Sequence, residues 1–218
     1  MHREIIHVCD AIENDNEMKV LVLTGGPDFF CTGADLADVS KTEGGLPTGL
    51  NAIERLNDMT KPTIAAISGW CVAGGIELAL ACDLRVVADT ARIGDRHIRI
   101  GFIEGAGSPT RLARVLGLSK AIKIILTGDT IDGNEAYRIG FASKVVSVEK
   151  LMDGAMELAE KIAAFSSLAL ILSKKAVKAA ADSSEYQSLH TTQLLLLELL
   201  SSAEYKECIA EFLGKGKG

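Results

Sequence analysis

Apolar residues along the first two thirds of the chain alternate between helical spacing and short continuous runs. Helical spacing comes first, in the set Ile5, Val8, Cys9 and Ile12. It predicts that the chain begins inside an amphipathic helix. Continuous apolar runs at 20–24 and 63–68 predict buried strands, and residues 50–59 predict a short helix between them. Further short strands are predicted at 84–88 and 91–94.

The C-terminal third is helical by pattern. Helices are predicted over 149–164, 169–181, 185–201 and 203–213. Strands that alternate with helices, followed by helices alone, indicate an α/β core with a helical C-terminal region. We place the core at 1–165 and the helical region at 166–218. The run LLLLELL at 194–200 is more apolar than one buried stripe requires, so an oligomer is expected.

Composition narrows the class of protein and of partner. The 218 residues suit one sizeable domain with an appendage, and 48% apolar with 24% charged residues is ordinary for a soluble globular protein. A net charge of −6 argues against nucleic acid or an anionic membrane as the main partner. Five cysteines without a C-x-x-C spacing, and no apolar leader at the start, favour reduced thiols in a cytoplasmic protein.

The segment 69–83, GWCVAGGIELALACD, carries the strongest chemical signal. Gly74 and Gly75 follow a small-residue turn and open a predicted helix, with Glu77 in its first turn. Glycine lets the main chain approach a ligand, and a helix start offers unpaired N–H groups. A carboxylate beside such donors can move protons next to a developing oxyanion. A purely structural role is the alternative, since an acid in the first turn also complements the helix dipole.

A second glycine turn lies at 31–36, CTGADL. Gly33 can turn the chain sharply and leave the N–H of Ala34 directed into a cleft. Two such turns, each after a buried strand, could direct their N–H groups at one oxygen and form an oxyanion hole. The alternative is two ordinary strand-to-helix turns.

Other catalytic signatures are absent from the sequence. There is no G-x-x-x-x-G-K-[ST] phosphate loop and no G-x-G-x-x-G after a strand. Ser68 lacks the leading glycine of a G-x-S-x-G nucleophile turn. The four histidines are scattered, so a bound metal is not expected. Ser108 and Pro109 predict a helix start, with Ser108 as the cap of a helix over 110–116.

Four linked segments resemble the enoyl-CoA hydratase/isomerase (crotonase) superfamily. They read FFCTGADL, KPTIAAISGWCVAGGIELALACDLRVVADTARIG, GFIEGAGSPTRLARVLG and ILTGDTIDGNEAYRIGFASKVV. The resemblance implies a spiral of strand–strand–helix turns with C-terminal helices that form trimers, which pair into hexamers. It also implies that strands which precede the first helix in this family are missing from this chain.

The resemblance further implies acyl-CoA thioesters as substrates and a role in fatty acid metabolism. Coenzyme A is then part of the substrate, and neither a metal nor a redox cofactor is used. The N–H groups of Ala34 and Gly74 become the oxyanion donors, and Glu77 becomes the first acid. The expected substrate contacts are Asp35, Leu36, Gly75, Phe212 and Lys215. The alternative for Phe212 and Lys215 is that they belong to a frayed, solvated tail that does not contact the substrate.

Hydratases of this family use a second glutamate, and His97 occupies its position here. Three interpretations follow. His97 shares the proton transfer, Glu104 supplies the missing carboxylate, or Glu77 works alone. The expected reaction is the addition of water to a 2-enoyl-CoA. The alternatives are double-bond isomerisation and non-catalytic binding of acyl-CoA.

Overall fold

A computed structural model describes residues 1–35, 49–103 and 105–215 of the chain. Its α-helices are α1 His2–Asn14, α2 Gly49–Asn57, α3 Gly74–Ala81, α4 Ser108–Leu116, α5 Leu118–Thr127, α6 Gly133–Arg138, α7 Leu151–Ala163, α8 Ser167–Asp182, α9 Glu185–Ser201 and α10 Ala203–Lys215. Its strands are β1 Leu21–Thr24, β2 Phe29–Cys31, β3 Thr63–Ile67, β4 Trp70–Val72, β5 Leu84–Ala88, β6 Arg92–Gly94 and β7 Lys144–Val146. Short 3-10 helices cover His97–Ile100 and Val148–Lys150.

The strands form two parallel sheets. One sheet has the order β1-β3-β5-β7 and the other the order β2-β4-β6. Along the chain, a strand of the first sheet is followed by a strand of the second, and the chain returns to the first sheet through a further segment. Parallel neighbours need such crossover connections. The predicted spiral of strand–strand–helix turns is therefore confirmed.

Strand β3 lies at the centre of the core, because all five of its residues are buried. Side chains alternate between the faces of a strand. Ala65 and Ile67 accordingly join the main apolar core, whereas Ile64 and Ala66 pack with apolar residues of α7. Full burial of an isoleucine side chain contributes about 1.5–3 kcal/mol. The burial of β3 therefore fixes the point at which the chain leaves the sheet and continues to β4 and α3.

The sequence patterns did not predict the short strands β2 and β4. The stretch after β3 was expected to be a turn, yet it contains β4, which pairs with β2 on one side and β6 on the other. A three-residue strand is too short to establish a period of two, and Trp70 is 42% exposed. The helices and strands that the sequence predicts are present in the structure, with boundaries shifted by a few residues.

The C-terminal helices attach to the core through charged contacts. Lys174 of α8 donates a hydrogen bond of 2.8 Å to the main-chain oxygen of Lys61 and forms an ion pair of 2.6 Å with Asp83. Asp83 in turn accepts a hydrogen bond from the N–H of Thr63, at the start of β3. The division into domains at 165 and 166 stays a prediction. Within the described residues, no helix has both the length and the apolar character that crossing a membrane requires.

Candidate active site

Glu77 is a charged residue inside an otherwise apolar helix. Every residue of α3 from Gly75 to Ala81 is buried, and Glu77 itself is only 4% exposed. The helix can lie in the core because its remaining side chains are apolar on all sides. As predicted, Glu77 is in the first turn of this helix. A carboxylate is rarely buried without partners, so its contacts decide its chemistry.

Main-chain donors hold the carboxylate of Glu77. Its Oε1 atom accepts a hydrogen bond of 2.7 Å from the N–H of Ala106 and one of 3.4 Å from the N–H of Ser108. Burial raises the pKa of Glu77 above its ordinary value, while both amides and the positive charge of protonated His97 act in the opposite direction. The raised pKa brings the carboxyl group nearer to neutral pH, where a side chain can both take and give a proton.

Arg111 supports the loop that supplies these donors. Its Nη1 atom donates a hydrogen bond of 2.5 Å to the main-chain oxygen of Ala106. Gly107 has a φ of 104°, and a methyl group in place of its hydrogen would lie 2.6 Å from Nη1 of Arg111. The φ of 104° favours glycine at this position, where the loop folds over the guanidinium group. Arg111 and Gly107 together set where the Ala106 amide meets Glu77.

A second buried acid, Asp95, lies next to His97. Asp95 is fully buried directly after β6. Its Oδ1 atom accepts a hydrogen bond of 3.1 Å from the main-chain N–H of His97 and lies 3.0 Å from the ring atom Nδ1 of His97. Its Oδ2 atom accepts a hydrogen bond of 2.6 Å from the hydroxyl group of Ser108. No sequence pattern singled out Asp95, although an acid two residues before a histidine at a strand end could have drawn attention to it.

Ser108 connects the two acids. Its N–H donates to Glu77 and its hydroxyl group donates to Asp95. The prediction that Ser108 caps the following helix was wrong. Helix α4 begins at Ser108 itself and is preceded by Gly107, with Pro109 in its first turn as expected. The hydroxyl group is not used for capping because it binds the buried carboxylate.

The two glycine turns are in direct contact. Gly33 has a φ of 98°, and a methyl group built on it would lie 3.1 Å from the amide nitrogen of Gly74 and 3.0 Å from Cβ of Ala73. A methyl group on Gly74 would lie 3.1 Å from the α-carbon of Gly33, a tight contact, and 3.8 Å from the amide nitrogen of Ala34. Side chains at either glycine would push the turns apart. The absence of side chains thus allows the amides of Ala34 and Gly74 to lie close together.

Ala73 has a strained main chain that fixes one of these amides. Its φ of 52° and ψ of −125° are normally adopted by glycine, and such strain costs about 1–3 kcal/mol. The angle ψ of Ala73 sets the direction of the next N–H, which belongs to Gly74. As the first residue of α3, Gly74 has no acceptor for this N–H within the helix. In the described part of the chain, neither this N–H nor that of Ala34 has a hydrogen-bond acceptor.

The remaining site residues from the sequence have different positions. Gly75 is buried, and a methyl group on it would lie 2.0 Å from the main-chain oxygen of Cys31, so this glycine lets α3 pack on β2. Asp35 is exposed beside the Ala34 turn, and Phe212 is 75% exposed on α10. Leu36, Glu104 and the side chain of Lys215 lie outside the described residues. Among the residues that are described, no cluster of His, Cys, Asp or Glu could hold a metal ion.

Comparisons with known proteins agree on one family. The family model for enoyl-CoA hydratase/isomerase matches residues 1–218. The chain is 35% identical to a probable enoyl-CoA hydratase of Rhizobium meliloti, over 99% of this chain and 85% of that protein. It is 34% identical to the short-chain-enoyl-CoA hydratase of Clostridium acetobutylicum, with the same coverage of 99% and 85%. The crystal structure of an enoyl-CoA hydratase from Bacillus anthracis superposes with a TM-score of 0.92, at 31% identity over 98% of this chain and 85% of that one.

Proposed function

Because this chain belongs to the enoyl-CoA hydratase/isomerase family, we propose that it adds water across the double bond of a 2-enoyl-CoA. The observation that carries the proposal is the position of Glu77. This buried carboxyl group lies one helical turn after Gly74, whose amide adjoins the Ala34 turn. An acid–base group and two candidate oxyanion donors are therefore held on neighbouring main-chain segments.

In the proposed reaction, the amides of Ala34 and Gly74 bind the thioester oxygen. The oxygen of a water molecule forms a bond with C3 of the enoyl group while Glu77 accepts a proton from that water. The electron pair of the double bond moves towards the thioester, and the resulting enolate oxygen is stabilised by the two amides. Loss of one such donor typically costs about 2.7–4 kcal/mol of transition-state stabilisation. The proton that Glu77 took from the water is then delivered to C2, which forms the new C–H bond, returns Glu77 to its ionised form and completes the addition.

The second proton-transfer group is proposed to be His97. Its ring is held by Asp95, and its charge affects the pKa of Glu77. An imidazole beside a carboxylate can take the place of a second carboxylate in proton transfer. Glu104 in this role, or Glu77 acting alone, remain the alternatives. For the rest of the substrate, we propose that Asp35 and Leu36 line the acyl or pantetheine path.

The coenzyme A end of the substrate is proposed to meet the C-terminal helix. Phe212 is 75% exposed on α10 and could contact the adenine of a neighbouring subunit. Lys215, three residues further, could contact the phosphates. Gly75 is assigned to the packing of α3 on β2 rather than to a direct substrate contact, because its α-carbon faces the main-chain oxygen of Cys31.

Isomerisation is the nearest alternative, because the position expected to carry the second glutamate holds His97. Moving a double bond needs only one group that takes a proton from one carbon and returns it to another. The two reactions differ in their use of solvent, since only hydration transfers the oxygen of water to the product. A non-catalytic acyl-CoA-binding protein would bind the same thioesters without converting them.

The deciding experiment offers 2-enoyl-CoA and 3-enoyl-CoA thioesters of several chain lengths in isotopically labelled water. We expect the labelled oxygen to appear in a 3-hydroxyacyl-CoA product, seen by mass spectrometry. Appearance of an unlabelled positional isomer alone would favour the isomerase. If no thioester is converted but calorimetry detects binding, the proposal of catalysis fails. Glu77→Gln provides the control for adventitious activity.

We also propose that the protein assembles into trimers or hexamers. Helix α9 leaves Leu194, Leu196, Leu197 and Leu200 between 40% and 63% exposed, and on α10 Phe212 is 75% and Leu213 62% exposed. Large apolar side chains exposed in this number on two helices usually mark a contact with a partner. The three-fold arrangement itself follows from the family resemblance.

A cytoplasmic location is proposed from the thiols. All five cysteines are free, and Cys9, Cys71 and Cys82 are buried. Burial raises the pKa of Cys82 to about 12, so this thiol is unreactive. Free thiols throughout a chain are typical of a reducing compartment. Measuring which cell fraction contains the protein tests this location directly.

A further inference from the structure

Asp95 is a buried acid with hydrogen-bonding partners on both of its carboxylate oxygens. It is fully buried, and within the part of the chain that the structure describes its two oxygens contact the main-chain N–H and Nδ1 of His97 and the hydroxyl group of Ser108. An ionised carboxylate only accepts hydrogen bonds, so Nδ1 of His97 is the donor in the contact of 3.0 Å. Donors on both oxygens favour the ionised form of a buried acid.

We propose that Asp95 is a positioning residue that acts on the reaction through His97. By accepting from both the main-chain N–H and Nδ1, it holds the backbone and the ring of His97 in one arrangement. It thereby selects the tautomer in which neutral His97 carries its proton on Nδ1. Nε2 is then the ring nitrogen that accepts and returns the proton during turnover. This inference rests on the proposed function, in which His97 is the second proton-transfer group.

Ser108 extends the same arrangement to Glu77. Its hydroxyl group lies 2.6 Å from Oδ2 of Asp95, and its N–H lies 3.4 Å from Oε1 of Glu77. One residue in the first turn of α4 therefore contacts the carboxylate that orients His97 and the carboxylate that takes a proton from water. A shift of Asp95 would therefore change the position of the His97 ring relative to the carboxylate of Glu77.

The first test reads the tautomer directly and does not depend on activity. Proton–nitrogen correlation NMR of protein labelled at histidine distinguishes a protonated ring nitrogen from an unprotonated one. His97 is assigned by the signal that disappears in His97→Gln. We expect protonated Nδ1 and unprotonated Nε2 in neutral His97 of the wild-type protein. A neutral ring protonated on Nε2, or the averaged signal of a free imidazole, would overturn the proposal.

The second test is a double-mutant cycle on turnover of the enoyl-CoA that the wild type hydrates best. Asp95→Asn keeps the volume of the side chain and removes its charge. We expect kcat to fall about tenfold to a hundredfold with KM changed less than about threefold, a smaller loss than the roughly 10²–10⁴-fold contribution of a proton-transfer group itself. In the His97→Gln background the same change should alter kcat by less than about twofold, because its effect passes through the imidazole.

Equal losses of kcat in both backgrounds would mean that Asp95 has only a structural role, and the proposal would fail. Asp182→Asn, the same change at a 61% exposed carboxylate of α8, is the matched control and should leave kcat unchanged. If Asp95→Asn does not fold, NMR of the wild-type protein still decides the tautomer. If the wild type hydrates no enoyl-CoA, the proposed function fails, and the tautomer measurement separately supports or overturns the arrangement of Asp95 and His97.

Discussion

The main-chain N–H of Ala106 donates a hydrogen bond of 2.7 Å to Oε1 of Glu77. This contact explains how a carboxyl group can lie inside an apolar helix and still exchange protons. Burial raises its pKa, and without donors the group would stay neutral over a wide pH range. The amides of the loop offset part of this effect. The loop before α4 therefore controls the proton affinity of a residue on α3.

Replacing Glu77 by glutamine tests the acid–base role. The amide oxygen of glutamine can still accept the hydrogen bond from Ala106, so the fold should be retained. The variant cannot take a proton from water, and kcat should fall by about 10²–10⁴-fold. Initial rates with the best enoyl-CoA substrate measure the effect.

The control for this change is Glu160→Gln, which alters an exposed acid of α7 in the same way. Its kcat should equal that of the wild type. A Glu77→Gln protein with full activity on every enoyl-CoA would exclude Glu77 as the proton-transfer group.

The raised pKa of Glu77 predicts that the stability of the protein depends on pH, and Glu77→Gln provides the reference for measuring this dependence. The folded protein holds the proton of Glu77 more tightly than the unfolded chain, because the pKa is raised from an ordinary value of 4.5. The contribution of this group to the free energy of unfolding is fully present below that value. It is lost as the pH rises through the pKa of the folded state. Relative to Glu77→Gln, the wild type should therefore lose stability between acid and neutral pH.

Urea unfolding of both proteins at a series of pH values measures this difference. A gap that stays constant across the series, or a wild type that gains stability relative to the variant as pH rises, would contradict the raised pKa. Titrating groups that do not interact with Glu77 are the same in both proteins, so their contributions cancel in the comparison.

Ala73→Gly should lower the activity without lowering the stability of the protein. Relief of the strained main chain should raise the free energy of unfolding by about 1–3 kcal/mol. The added flexibility of glycine in the unfolded state should lower it by about 0.5–1 kcal/mol. The free energy of unfolding should thus stay unchanged or rise. Activity should fall about tenfold, because the direction of the Gly74 N–H is less firmly fixed and part of the oxyanion contact is lost.

Ala164→Gly, at the end of α7, is the matched control, since its φ of −68° is ordinary. This variant should lose about 0.5–1 kcal/mol of stability and keep its kcat. If Ala73→Gly instead destabilised the protein and kept full activity, the conformation of Ala73 would have no part in catalysis.

Long or strongly patterned features could be predicted from the sequence, and local contacts could not. Strand β3 was evident from its unbroken apolar run, and Glu77 from its place after two glycines. Strand β4 was missed because three residues, one of them exposed, cannot establish a period. Asp95 was missed for another reason. Its importance comes from Ser108, thirteen positions further along the chain, and only the fold brings those two side chains together.

Arg111→Met should change the proton affinity of Glu77 without touching Glu77. The substitution removes the donor to Ala106 and a positive charge that interacts with Glu77. Both losses raise the pKa of the carboxyl group further. The acid limb of kcat/KM, where Glu77 becomes protonated, should move to higher pH. Arg114→Met serves as control, because Arg114 is exposed and pairs with Asp182. An unmoved acid limb in Arg111→Met would disprove the link.

Leu197→Glu should dissociate the proposed oligomer. Leu197 is 63% exposed on α9, so the change leaves the core of the single chain intact. Buried in a subunit contact, a leucine contributes about 1.5–3 kcal/mol, and a glutamate there would add the cost of burying a charge. Light scattering after size exclusion should give three or six times 23.1 kDa for the wild type and a smaller mass for Leu197→Glu. Gln193→Glu adds a charge to an exposed polar position of the same helix and should keep the wild-type mass. A wild type that elutes as a single chain would refute the assembly.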